Sequence, residues 1–306
     1  MSILIIGSLN TDLITVTPRM PAAGETLTAS SFHTAPGGKG ANQAVACARL
    51  SLPPTKVSMI GSVGRDSFAS PLLSELEDSG VDVARVTSHT SEPTGSAVIV
   101  VDGSNGENRI LIHTGANGTV TPECFPETED WNAVVMQLEI PVPTVLSILS
   151  AAKTQGVKTI FNPAPAVPLP EECWKDVDWC IVNETEAAIL TAVEQNVLDS
   201  KEGVETAGKE LLRRGCGAVV VTLGARGAYW CAEDEEGWVE TGVKKEDVVD
   251  STGAGDTFVG ALAVGVVEGK KREECVDFAR RAAGRAVRKR GAMAGVPWRR
   301  EVEEGV

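Results

Sequence analysis

Short apolar runs, each closed by glycine or a polar cluster, recur along this chain and set its plan. Ile3 to Ile6 reads as a strand, and Gly7-Ser8 breaks it so that Leu9-Asn10-Thr11-Asp12 emerges at its carboxyl end. Val57 to Val63 reads as a strand followed by a helix from Ser67 to Ser79. Ala133 to Leu138 is followed in the same way by a helix from Pro143 to Gln155, and Ile181-Val182 by a helix from Glu184 to Ala192; Ala218 to Leu223 is a further strand. Strands alternating with helices predict a largely parallel sheet covered on both faces. The ligand crevice of such a sheet lies beyond the carboxyl ends of its strands.

Two stretches break the alternation. Residues 13–36 and 94–113 hold Thr- and Val-rich strands with turn residues and no helix between them, the second forming a hairpin around Asp102-Gly-Ser-Asn-Gly106. They read as a small separate β element that could cover the crevice. Later, Asp250-Ser-Thr-Gly-Ala-Gly-Asp256 runs directly into the apolar stretch Thr257 to Gly265, which places a carboxylate and exposed backbone amides where a helix begins. A plain N-cap is the simpler reading of Asp256, but a cap does not need the flanking Gly-Ala-Gly.

Composition narrows the field. The 306 residues suit about two domains or one large α/β unit with an insertion, and 42% hydrophobic content can fill a sizeable core. A net charge of −14 with 28 Lys plus Arg disfavours nucleic acid and anionic membranes as partners. Seven scattered cysteines, none in a Cys-x-x-Cys pair, read as buried reduced thiols. With no leader-like N-terminus and no apolar run of membrane-spanning length, the expected location is cytoplasmic, a nuclear one being left open.

The chemistry gathers in a few segments. Pro36-Gly-Gly-Lys-Gly-Ala-Asn-Gln-Ala44 is not a Walker A loop, because Lys39 is followed by Gly40 and position 33 is His. It is a glycine turn opening a helix, with Lys39 and Asn42 three apart on one face and able to donate to clustered hydroxyls. Asn10 and Asp12, two apart in extended chain, point the same way and suit a vicinal diol. Asn183 and Glu186, at the first turn of a helix, fit either a capping arrangement or a carboxylate holding magnesium through water. Thr222-Leu-Gly-Ala-Arg-Gly227 is a second glycine turn after a strand. Phe258 occupies the third glycine position of a Gly-x-Gly-x-x-Gly pattern, so a dinucleotide site is poorly supported.

Gly37 to Ala44 and Asp250 to Phe258 resemble the two signature motifs of the PfkB carbohydrate kinase family. Further matching segments lie in order along nearly the whole chain: Gly7 to Asp12, Gly24-Glu-Thr26, Thr94-Gly95, Ile112 to Asn117, Gln137-Leu-Glu139, Asn162 to Ala166, Asn183 to Glu186, Thr222 to Gly224 and Val296-Pro-Trp298. The resemblance implies a single three-layer α/β domain over residues 1–306, with a central, mostly parallel sheet flanked by helices and a small β-sheet lid formed by insertions at about 13–36 and 94–113.

It also implies ATP-dependent phosphorylation of D-ribose at O5, giving D-ribose 5-phosphate and ADP. Lys39 sets this reading apart from members acting on fructose or adenosine, which usually carry a small residue there. Another sugar or nucleoside, such as 2-deoxyribose or fructose, is the alternative acceptor, and a non-catalytic sugar-binding regulator is a remoter one. By the resemblance Asn10, Asp12, Gly38, Lys39, Asn42 and Glu139 bind the sugar and Asp256 is the general base. The amides of Gly253, Ala254 and Gly255 form an anion hole. ATP lies against Asn183, the turn Thr222, Leu223, Gly224, Ala225, Arg226 and Gly227, then Gly255, Asp256 and Arg280. Magnesium sits near Glu186 through water, and potassium is held by Asp250, Thr252, Ala286, Lys289, Gly291 and Gly295. A homodimer through the lid sheet is the implied assembly.

Overall fold

The computed structural model describes residues 1–126 and 130–304. In chain order its strands are β1 (Ser2–Ile6), β2 (Asn10–Thr17), β3 (Ser31–Gly37), β4 (Lys56–Gly64), β5 (Asp82–His89), β6 (Gly95–Asp102), β7 (Asn108–His113), β8 (Ala133–Met136), β9 (Lys158–Phe161), β10 (Trp179–Asn183), β11 (Ala218–Thr222), β12 (Ala228–Ala232) and β13 (Glu236–Val239). The principal helices are α1 (Lys39–Leu50), α2 (Ala69–Asp78), α3 (Val142–Thr154), α4 (Glu184–Thr191), α5 (Lys201–Arg213), α6 (Ala254–Val267) and α7 (Arg272–Ala286).

Among the described residues the strands form a nine-stranded sheet, ordered β13-β12-β11-β10-β9-β8-β1-β4-β5, and a four-stranded one, β3-β2-β6-β7. The large sheet is parallel from β5 to β11, and β12 and β13 complete it antiparallel. Its strands alternate between two cores. Ile3, Ile5, Met59, Val135, Ile181 and Val220 face one core with α1, α2, α6 and α7. Leu4, Ile6, Ile60, Val134, Val182 and Val221 face the other with α3, α4 and α5. Burial on both faces is why these strands read as continuous apolar runs.

The alternation expected from the sequence is present, with three refinements. The short buried strand β9, the antiparallel pair β12–β13 and the edge strand β5, which has many polar, exposed positions, add to the strands read from the sequence. Asn10 does not end the first strand; it begins β2, so the chain crosses between sheets at Gly7-Ser8-Leu9. In the small sheet β2 pairs parallel with β6 and antiparallel with β3, and β7 closes the hairpin around Asp102–Gly106. Phe32, Ile110, Leu111 and Ile112 of this sheet are exposed. Cys124 is half-buried and the other six cysteines are buried, all as free thiols. Among the described residues no helix is long and apolar enough to cross a membrane.

Candidate active site

The crossover from β1 to β2 meets the start of α1 so closely that backbone packs on backbone. A side-chain carbon at Gly40 would stand 2.5 Å from the Ser8 amide nitrogen, and one at Gly38 (φ 91°) 2.7 Å from that of Asn10. This contact brings β2 and α1 to one place. Glu139, in the loop after β8, joins them: its Oε2 accepts from Ser8 Oγ at 2.6 Å and from the Lys39 amide at 3.0 Å. Asn117 braces the opposite side, its Nδ2 donating to Asn10 Oδ1 at 2.7 Å while its Oδ1 accepts from the Leu9 amide at 2.8 Å.

Asp256 lies at the first turn of α6 and is 8% exposed. It does not cap the helix. The N-cap is Gly253, left-handed at φ 76° and without a side chain to offer. Each Asp256 carboxylate oxygen instead accepts an amide from α1, Oδ2 from Asn42 Nδ2 and Oδ1 from Gln43 Nε2, both at 2.9 Å. The structure therefore brings Asn10, Asp12, Gly38, Lys39, Asn42, Glu139 and Asp256 into one polar cluster.

In this cluster several carboxyl groups share one ammonium, that of Lys39. Burial pushes Asp256 up, against the Lys39 ammonium and the two amides that favour its ionised form. Asp12 rises to about 6 through burial, with Glu139 and Asp256 adding repulsion. For Lys39 burial opposes the charge, but Asp256, Glu139 and Glu186 outweigh it and raise the pKa overall. Glu186 is raised by burial, with Asp256 adding to the rise, against the Asn183 amide and Lys39.

Beside Asp256 opens a cavity of about 710 Å³ whose lining includes Thr222, Gly224, Ala225, Gly227, Ala254, Gly255 and Arg280. A side-chain carbon at Gly255 would meet nothing within 4 Å. Val243, Phe258 and Val287 make its walls largely apolar, as suits a planar base. Arg280 lines it while bonded to Asp277 Oδ1 and to the Thr241 carbonyl.

Two expected ligands of the glycine turn stand away from the cavity, and two more are engaged in a cap. Arg226 turns away from the cavity, donating to the carbonyls of Leu198 and Asp199 and pairing with Glu184, and Leu223 is buried beneath the turn. Asn183 and Glu186 form a reciprocal capping box on α4, with Glu186 accepting from the Asn183 amide at 2.9 Å. Of the three amides expected in the anion hole, that of Ala254 donates to the Ser251 carbonyl at 3.2 Å, so Gly255 is the better placed to meet an anion.

Residues expected around a monovalent cation do converge. Asp250 accepts from the Thr252 amide and hydroxyl and from the Gly291 amide. The carbonyl oxygens of Ala286 and Lys289 lie 3.2 and 3.8 Å from where a side-chain carbon at Gly295 would stand. Lys289 sends its own ammonium to Glu301 at 2.7 Å.

Sequence reasoning gave no role to Ser8, Gln43, Asn117, Gln137 or Asn162. Gln43, Gln137 and Asn162 each lay inside a segment that carried the family resemblance, which was the signal available.

A three-layer α/β fold with a nucleotide-sized cavity next to a buried carboxylate and a sugar-sized polar cluster defines a small-molecule kinase. The chain matches the pfkB family of carbohydrate kinases over residues 1–299 and belongs to it. It is 40% identical to the ribokinase of Schizosaccharomyces pombe over 313 aligned positions, covering 99% of this chain and 96% of that one. It is also 35% identical to the deoxyribokinase of Salmonella typhi, covering 97% and 96%. The solved structure of Arabidopsis thaliana ribokinase complexed with ribose and ATP superposes with a TM-score of 0.87 at 34% identity, covering 99% of this chain and 97% of that one.

Proposed function

We propose that this chain transfers the γ-phosphoryl group of ATP to the primary hydroxyl of D-ribose, giving D-ribose 5-phosphate and ADP. The observation that carries the reading is the position of Asp256: its carboxylate faces the Asn10, Asp12, Lys39, Asn42 and Glu139 cluster, while the preceding Gly255 borders the cavity. The ribokinase relatives support it.

The cluster offers carboxylate, ammonium and amide groups to the sugar hydroxyls, and the buried Asn42 Oδ1, which has no partner, is an acceptor for one of them. Asp256 takes the O5 proton as O5 bonds to the γ-phosphorus and the bond from that phosphorus to the bridging oxygen breaks, leaving ADP. A carboxylate raised by burial is a stronger base than an exposed one. The Gly255 amide and the N-terminal dipole of α6 stabilise the charge on the transferring oxygens. Such transfer is positioning and charge stabilisation above all.

Two ions fit the residues present. The raised Glu186 carboxyl, in the field of Asp256, suits magnesium held through water, and bound magnesium would neutralise phosphate charge. The Ala286 and Lys289 carbonyls with Asp250 suit potassium, on the same segment as Gly253. The small sheet covers the sugar as a lid. Its exposed Phe32, Ile110, Leu111 and Ile112 pair with a second copy, and a monomeric sedimentation profile would remove that dimer.

A panel of acceptors ranked by kcat/KM tests the substrate. D-ribose should lead, and 2-deoxyribose leading by a wide margin would select the reading that the deoxyribokinase relative favours. Asp256→Asn should cut turnover by roughly 10²–10⁴-fold at saturating ribose, in an assay of ADP release.

A further inference from the structure

Behind Asp256 lies a chain of buried amides, none of them among the residues assigned above to the sugar or the nucleotide. Gln43 and Gln137 are 0% exposed and Asn162 is 8% exposed. Gln43 Nε2 donates both to Asp256 Oδ1 at 2.9 Å and to Asn162 Oδ1 at 3.1 Å, and its Oε1 accepts from Gln137 Nε2 at 2.7 Å. Asn162 Nδ2 in turn donates to the Ile181 backbone carbonyl at 2.9 Å.

That last bond gives the chain a direction. A backbone carbonyl can only accept, so Asn162 must turn its NH₂ group to Ile181 and its oxygen to Gln43. Gln43 is then obliged to present its own NH₂ to Asn162, and the same nitrogen faces Asp256. Reversing the Gln43 amide would set its oxygen against two acceptors at once and its nitrogen against the nitrogen of Gln137. Gln137 keeps its orientation although its Oε1 is left without a partner, close to the space that a side chain on Gly7 would fill. Buried polar groups left unmatched are costly, and here one is tolerated at the end of a chain whose other members are paired.

We infer that Gln43 is the positioning residue of the catalytic base, and that Gln137 and Asn162, with polarity set by the Ile181 carbonyl, hold its amide so that a donor always faces Asp256. The inference rests on the proposed role of Asp256 as base and deepens it. A fixed donor on Oδ1 and the Asn42 amide on Oδ2 restrict the plane of the carboxylate, leaving its remaining lone pairs for the hydroxyl. The donors also favour the ionised form in a buried setting. Charged groups facing Asp256 from other elements are Lys39 on α1, Asp12 on β2, Glu139 after β8 and Glu186 on α4, and Gln43 adds a neutral donor to them.

The test is the pH profile of kcat at saturating ribose and ATP for Gln43→Glu, with folding checked by circular dichroism. A carboxyl in place of the amide must share a proton with Asp256 or repel it, so the acidic limb should move to higher pH by about one unit or more. Loss of orientation should cost roughly 10²-fold in kcat, with the KM for ribose little changed. Gln137→Met keeps the shape of that side chain but removes the donor that holds Gln43 Oε1, so that Asn162 alone anchors the Gln43 amide, and it should move the same limb in the same direction by less. It carries the test if Gln43→Glu does not fold. A folded variant with the wild-type limb and turnover overturns the inference. Asp256→Asn run alongside separates the two readings: a dead Asp256→Asn with an unmoved limb in the glutamine variants rejects the positioning role alone, whereas an active Asp256→Asn rejects the base itself.

Discussion

Two helices begin at glycine-rich turns and meet over Asp256, yet they use glycine for opposite purposes. At the start of α1 the glycines are crowded: side-chain carbons at Gly38 and Gly40 would fall 2.7 and 2.5 Å from backbone nitrogens of the β1–β2 crossover. At the start of α6 Gly253 is crowded against Ala292, but a carbon at Gly255 would meet nothing within 4 Å. The first set lets two segments of backbone come together and so builds the sugar cluster. Gly255 leaves room beside a bare amide for something that is not protein. A glycine in a motif is thus two different features, told apart by what surrounds the missing side chain.

Gly255→Ala is the sharpest way to break this comparison. Alanine is the better helix former by up to about 1 kcal/mol, so the variant should melt at or above the wild-type temperature. Its methyl group would nevertheless intrude where the phosphates approach, and turnover should fall by roughly 10²-fold. Full activity in a stabilised Gly255→Ala would show that the open space serves no ligand. Gly40→Ala should behave in the reverse manner, losing stability first. Overpacking of this kind costs about 1–3 kcal/mol, read as a fall in melting temperature of about 2–4 °C for each kcal/mol. An unchanged melting curve would mean that the Ser8 segment yields, and that crowding at α1 is incidental.

The same contrast explains what could be read from the sequence. β1, β4, β8, β10 and β11 of the large sheet were legible as apolar runs, whereas β5 and β13, with polar and exposed edges, were not, nor were the short buried strands β9 and β12. Asn183 and Glu186 were legible as a cap because both partners lie in one helical turn. Asp256 could not be separated from a cap by local pattern, since its amide partners Gln43 and Asn42 are 213 and 214 residues away. Gln43, Gln137 and Asn162 have no chemistry of their own that spacing would flag, and their roles arise only when β8, β9 and α1 are side by side. Arg226 shows the converse limit: the glycine turn lines the cavity, but nothing in its sequence says that the guanidinium leaves on the far side to meet Glu184.

The smallest expected effect concerns the crowded side. Asp12 packs so near the backbone of Gly37 that a side-chain carbon there would stand 2.5 Å from its carboxylate, and it shares the cluster with Glu139 and Asp256. Burial and these neighbours raise its pKa to about 6, so acidification protonates Asp12 well before an ordinary carboxylate. The protonated form loses an acceptor for the sugar diol. The KM for ribose should therefore rise as pH falls through about 6, by up to about tenfold per pH unit, while kcat follows the separate titration of Asp256. In Asp12→Asn the KM should be high at every pH and the acidic rise should vanish. A KM that stays flat across that range in the wild-type enzyme would mean that Asp12 shapes the turn at Gly37 without accepting from the sugar, and the crowded helix start would then be scaffold throughout.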